Sequence, residues 1–450
     1  MEKTKLKTKY GFLTVVTMVI GIVIGSGVFF KAEKILSATG GDLTLGIVAW
    51  ILGGLVMIVC SFVFSTLAAK YSKVNGLIDY CEAEVSPKYG YFVGWFLANI
   101  YYPAMTSVLA WVSARYTFVL FGSTDITGGG CLALACFFLV AIYALNTLSP
   151  IAAGKFQIST TFIKLIPLIL MGVVGIIAGL FNGILVENFR LVVVSQTVRN
   201  PLFTAVVATA FAYEGWIIAT SINAELKDSK KNLPKALVVG TFIIMVIYIL
   251  YYIGLAGAVQ KVNLMQSGEA GAKLAFVNIF SSFAGTLLFV FIIISCLGTT
   301  NGLMMGVTRS YYAFAVRGYG PTPKKFSDLD ESTNMSANSA IMGVFTSAFW
   351  LLYFYGANLT APWFGPFSFD SSELPIITIY ALYIPVFINI IRKEKDFSSF
   401  KRFIMPILGI IASTFMLIAT IYAHGISVLF YFIIFAVIMV IGILVNKKRD

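Results

Sequence analysis

The chain has 450 residues, of which 59% are apolar and only 12% charged, and its mean hydropathy is +0.90. Soluble domains carry roughly 25% charged residues, so this composition excludes a soluble enzyme or binding module and marks a polytopic membrane protein. The net charge of +12 would suit nucleic acid if it were concentrated on one surface, but it is divided among short segments between apolar runs.

Runs of about 20 apolar residues are long enough to cross a bilayer. They predict twelve spans: 10–31, 43–69, 91–120, 130–148, 158–181, 201–222, 236–258, 274–308, 337–356, 374–391, 403–422 and 426–446. The first run continues as a span and does not read as a cleavable signal. With an inside N-terminus, 23 of the 32 lysines and arginines fall on the inner side. Lys31 and Lys261 are among the seven that fall outside. The positive-inside rule then places both termini in the cytoplasm, and no nucleic-acid partner is expected.

The first span is interrupted at its middle by Gly25-Ser26-Gly27. Free backbone groups at that depth are tolerated only where protein covers them or where they line a cavity. The exposed half-helix ends would offer a positive pole to an anion and a negative pole to a cation. A zwitterion such as an amino acid matches that pair. The plainer alternative is a packing kink made by small residues.

The third span carries Asn99, Tyr101, Tyr102, Thr106 and Ser107, which would either face a cavity or join helices. The fifth span carries Lys164 among apolar neighbours. A charge in that setting is a functional candidate, and the alternative is snorkelling to the headgroups; Lys155 reads as a loop charge. The sixth span contains Thr209-Ala210-Phe211-Ala212-Tyr213-Glu214-Gly215-Trp216, a second interruption about 190 residues after the first. Two broken spans, each opening a five-helix block, point to an inverted repeat with a midplane site. The core is then 1–392, with repeats 10–181 and 201–391, and 393–450 holds two additional spans and a tail. The eighth span is unusually long and leads into Arg317-Gly318. The five cysteines read as small buried residues. One histidine, His424, and no Cys/His cluster leave no expected metal or cofactor.

These motifs carry a resemblance over nearly the whole chain and in the right order. Gly25-Ser26-Gly27-Val28-Phe29 resembles the G-S-G-[IV]-F signature of the amino acid–polyamine–organocation superfamily. Phe211-Ala212-Tyr213-Glu214-Gly215-Trp216 is similar to the F-[AS]-Y-x-G-W of its L-amino acid transporter-like branch. Asn301-Gly302, Arg309 and Arg317-Gly318 resemble that branch's eighth helix. The resemblance implies an all-α LeuT-type fold, with broken first and sixth helices and alternating access around a central substrate.

On that basis the substrate carboxylate is expected at the backbone of Ser26 and Gly27, with the Ser26 hydroxyl and the flanking Ile24 and Gly25. The ammonium is expected at carbonyls of Val23, Phe211 and Glu214, beside Ala212 and Gly215, with Phe211 as an aromatic lid and Tyr102 in the side-chain pocket. The family places a fifth-helix lysine where sodium-coupled relatives hold sodium, so Lys164 would bridge the first break to Ser295 or Thr299. Glu214 departs from the family pattern. It would neutralise a cationic substrate, carry a proton, pair with Lys164 or Arg309, or tether the broken helix.

The function these readings predict is sodium-independent transport of small or neutral L-amino acids, by exchange or proton symport, in a bacterial cell membrane. A monomer can suffice. A cationic amino acid or polyamine carrier is the rival; a membrane-embedded enzyme lacks a catalytic cluster, and a channel lacks a polar ring.

Overall fold

The computed structural model describes residues 12–71, 76–123, 125–190, 200–217, 228–333 and 335–446. The first broken span appears as α1 (Phe12–Val23) and α2 (Ser26–Ala38), followed by α3 (Leu43–Lys70), which Asp42 opens by accepting from the Leu45 amide at 2.9 Å. A short α4 (Leu77–Glu84) precedes α5 (Pro87–Phe96), which starts with Ser86 as cap and proline in the first turn, the combination that best satisfies a helix start. A π turn, Leu97–Tyr101, carries α5 into α6 (Tyr102–Leu120). Then come α7 (Gly129–Leu148) and α8 (Pro150–Leu170), the latter running through a second π turn into α9 (Ile176–Phe181) and on to a short α10 (Ile184–Arg190).

The second half opens with α11 (Pro201–Tyr213) and continues with α12 (Ser229–Ala258), α13 (Lys261–Ser267), α14 (Glu269–Ala315), α15 (Pro323–Phe326), α16 (Ala337–Ala357), α17 (Leu374–Lys393), α18 (Met405–His424) and α19 (Ser427–Leu444). Among the described residues, nine helices are long and apolar enough to cross a membrane. The interrupted helices stand at the centre, where α2 packs on α11 and α1 packs on α12 and α8. Around them α3 lies along α12, and α6 along α14. Small residues allow the closest crossings. A Cβ on Gly254 of α12 would lie 2.8 Å from the Met171 carbonyl carbon, and one on Gly175 would lie 2.9 Å from that of Gly254.

Several boundaries move. The predicted span 201–222 has its helix only to Tyr213, and residues 218–222 lie outside the described residues. The eighth span lengthens because an outer helical segment joins it across a kink at Ser281, whose φ is 72°. Lys155 lies within α8, exposed, and not in a loop. Cys136 is exposed where α7 turns Phe137 and Val140 outward, so it is not a buried cysteine as the sequence suggested. Lys31 and Lys261, expected as outer loop charges, are both buried. Lys261 donates to the carbonyls of Gly41 and Asn188, each at 2.9 Å, tying α13 to the end of α10.

Where α3 and α17 end, Lys70 pairs with Glu394, which also accepts from the Tyr71 hydroxyl at 3.2 Å. Glu84 is fully buried beside this group. Burial first, and then the Glu394 charge, pushes the Glu84 carboxyl up to about 7 from its ordinary 4.5. Between those values the folded protein holds a proton that the unfolded chain has released, so this contribution to stability is full below 4.5 and falls as pH rises through 7. Glu84→Gln is expected to remove that decline. Thermal unfolding across the window checks it, since an unchanged slope in the variant would place the titration on another group.

Candidate functional site

The first helix stops because Gly25, at φ −146° and ψ −143°, leaves the helical region after Ile24 has donated to Ile20 at 2.8 Å. α2 then begins at Ser26 with no side chain capping its first amides. The start of a 13-residue helix therefore points its N–H groups and its positive pole into the interior. The Ser26 hydroxyl is buried there without a hydrogen-bond partner. In the second half of the chain α11 stops at Tyr213, Glu214 turns extended, and Gly215 adopts φ +105°, a conformation that favours glycine.

The two breaks touch. A Cβ on Gly27 would lie 2.5 Å from the Ala212 Cα and 3.1 Å from the Phe211 carbonyl oxygen, so only a hydrogen atom fits between the helices. A cavity opens beside that contact. Ile22, Val23, Gly25 and Gly27 line one side, and Phe211, Glu214 and Gly215 another. α14 adds Thr299, Gly302 and Leu303. Ile24, Ser26 and Ala212 are buried behind this lining.

The third-span wall differs from the expected polar face. Tyr101, Met105 and Leu109 line the cavity, while Tyr102 packs on α14, where a Cβ on Gly306 would meet its ring at 2.9 Å. The π turn ending at Tyr101 inserts an extra residue and rotates the face that follows. Asn99 accepts from Tyr311 and from Trp350, and the Thr106 and Ser107 hydroxyls return to their own helix at Tyr102 and Ala104. Asn99 alone joins helices, Thr106 and Ser107 are spent on their own, and this side of the cavity is mainly apolar.

Glu214 accepts from the Tyr101 hydroxyl at 2.5 Å, and its second carboxylate oxygen is buried without a partner. It pairs with neither Lys164 nor Arg309. Lys164 is fully buried and donates to the Gly21 carbonyl at 2.7 Å, joining α8 to the last turn of α1. The expected link to α14 is not formed: Ser295 keeps an unpartnered hydroxyl, and Thr299 donates to the Ser295 carbonyl at 3.1 Å.

Tyr248, which sequence reasoning missed, ties the breaks from α12. Its hydroxyl lies 3.2 Å from the Val23 carbonyl and 3.0 Å from that of Ala212. Its ring stands against Trp50 and Tyr213 in an aromatic cluster. The available signal was the run Tyr248, Tyr251 and Tyr252 in the middle of an otherwise aliphatic span.

Beyond Phe211, Lys31 lies 5.3 Å from that ring's centre and pairs with Glu373 at 2.5 Å. His424 approaches the other Glu373 oxygen at 2.9 Å, so α2, the start of α17 and the end of α18 meet at one carboxylate. At the opposite end of the molecule Arg317 pairs with Asp79 and Glu82.

Comparison with known proteins places this architecture. The serine/threonine exchanger SteT of Bacillus subtilis is 29% identical over 434 residues, covering 95% of this chain and 94% of its own. The human cystine/glutamate transporter and the mouse Asc-type amino acid transporter 1 are 24% and 25% identical over 71% of this chain. The chain matches 63% and 61% of those longer proteins. Among solved structures, MhsT in complex with L-phenylalanine superposes with a TM-score of 0.62 over 93% of this chain and 99% of its own, at 16% identity, and so shares the LeuT-type fold. The amino acid permease family model matches residues 10–444. A multi-pass helical protein in which the break between α1 and α2 touches the end of α11, matched by that family along almost its whole length, is an amino acid transporter and not an enzyme: the chain belongs to the amino acid permease family.

Proposed function

We propose that this protein exchanges small neutral L-amino acids across a bacterial cell membrane by alternating access, without sodium. The observation that carries this reading is the uncapped start of α2, at Ser26 and Gly27, beside the cavity and the buried Ser26 hydroxyl. A carboxylate there gains aligned amides, the helix pole and a hydroxyl donor. The ammonium meets carbonyls at Val23, Phe211 and Glu214, where the Val23 oxygen has a second lone pair beyond the one facing Tyr248. Phe211 covers the substrate, under the Lys31–Glu373 pair. Met105, Leu109 and Leu303 leave an apolar pocket suited to a short, uncharged side chain. SteT, whose name gives serine and threonine, supports small substrates.

Lys164 supplies a fixed cation at the Gly21 carbonyl, in place of a bound sodium ion. The repeats are 10–181 and 201–391, the last two helices and the tail occupy 393–450, both termini are cytoplasmic, and one copy of the chain suffices. Proteoliposomes test the reading. Labelled serine, threonine and alanine should enter with saturating rates and be accelerated by unlabelled amino acid inside, equally in sodium and in choline buffers. Absence of trans-stimulation would favour proton symport.

A second reading, transport of a cationic amino acid or a polyamine, is favoured by the unpartnered Glu214 oxygen in the cavity wall. Glu214→Gln separates the cases. Side-chain recognition predicts loss of cationic substrates alone, and proton carriage predicts a flattened pH profile for every substrate. With Tyr101 already bound to this carboxylate, the expected result is transport of neutral substrates reduced by less than about tenfold, the cost of weakening one charge-assisted hydrogen bond.

A further inference from the structure

A recess of ≈ 670 Å³, separate from the substrate cavity, lies between α5 and α19 at the end of the molecule where Arg317 meets Asp79. Its polar groups are spent within the fold. The Tyr91 hydroxyl donates to the Gly442 carbonyl at 2.7 Å, and the Trp95 indole to that of Ile438 at 2.8 Å. Tyr91 stacks on Tyr319 with ring centres 5.4 Å apart, so aromatic faces form the floor. Asn446 accepts from the Gly320 amide at 3.0 Å and closes one end. What remains accessible is apolar, from Phe92 and Ile443, with one exception: Lys88, an exposed cation at the rim.

An apolar recess with an exposed lysine at its rim matches one kind of occupant in a bilayer. We infer that this recess holds a single anionic phospholipid, with an acyl chain along Phe92 and Ile443 and its phosphate at Lys88. Free phosphate would leave the recess unfilled, and a zwitterionic lipid would bring its own cation against Lys88. Anionic headgroups are favoured where basic residues border membrane helices, and the chain supplies the apolar burial. A lipid held here would bridge α5 and α19 beside the two hydrogen bonds above and the ring contacts of Phe92 and Phe96 with Phe435.

The test uses the full chain in detergent micelles containing equal amounts of phosphatidylglycerol and phosphatidylcholine, with bound lipid counted by native mass spectrometry. The expected result is one phosphatidylglycerol retained at least fivefold over phosphatidylcholine. Lys88→Glu should lose that preference, and Ile443→Trp, at a side chain already 64% exposed, should lower retention of phosphatidylglycerol by filling the recess. Both positions face outward, so size-exclusion profiles should match the parent. Equal retention of the two lipids, an unchanged preference in Lys88→Glu, or displacement by glycerol phosphate alone would overturn the assignment.

Discussion

Gly27→Ala is expected to cost substrate affinity about 1–3 kcal/mol, roughly five- to 150-fold, although it adds a single methyl group. The added carbon meets backbone, the Ala212 Cα at 2.5 Å and the Phe211 carbonyl at 3.1 Å, and backbone in two packed helices cannot rotate away. The two breaks must separate, and with them the amide pole of α2 and the carbonyls of α11 that are proposed to hold the two ends of the substrate. Gly25→Ala is expected to cost a similar amount, because its methyl would lie 2.7 Å from the Thr299 Cβ, an atom that side-chain rotation does not move, so the break must shift away from α14. Ser26→Ala removes a donor without adding bulk and should cost about 1–3 kcal/mol only if its hydroxyl binds the carboxylate. Thermal-shift titration with serine and threonine measures all three, and size-exclusion chromatography verifies folding. A Gly27→Ala protein that folds and binds as the parent does would move the site away from the contact of the breaks.

The helix interruptions were legible because small residues break two apolar runs about 190 residues apart, each at the start of a five-span block. Gly25-Ser26-Gly27 and Glu214-Gly215 lie where α1 and α11 end, and Lys164 stood out as a lone charge in an apolar span. What the sequence hid depends on rotation and distance. Tyr101 and Tyr102 are indistinguishable as neighbours in a string, and the π turn before them decides which one lines the cavity. Tyr248 lies in a span with no break of its own, and its value comes from reaching carbonyls 225 and 36 residues away in sequence. Lys31 resembled a loop charge because its partner, Glu373, is 342 residues distant. The polar residues Asn99, Thr106 and Ser107 misled for the opposite reason: a hydroxyl or amide in a membrane helix often bonds its own backbone, and composition cannot separate that from a cavity face.

Lys164→Ala is expected to slow exchange by at least tenfold. The ammonium is fully buried, and its hydrogen bond to Gly21 at 2.7 Å joins α8 to the turn of α1 just before the break. Removing it frees a carbonyl in the middle of the membrane and releases the inner half of the first helix from α8. A transporter moves between states, and a contact made in one state and lost in another sets their relative populations. The variant should therefore shift toward the state in which α1 stands away from α8. Its apparent affinity from one side should change by the same factor as the fraction of competent protein. Lys164→Arg keeps the charge but brings a wider, planar donor group to a carbonyl that receives a single hydrogen bond, so partial recovery is expected. Uptake and counterflow in proteoliposomes, measured from both sides, separate a shifted equilibrium from a lost binding site, because only the former changes the two sides in opposite directions. Full activity in Lys164→Ala would return this lysine to a packing role, and a sodium requirement appearing in the variant would show that the ammonium occupies a cation position that sodium can fill.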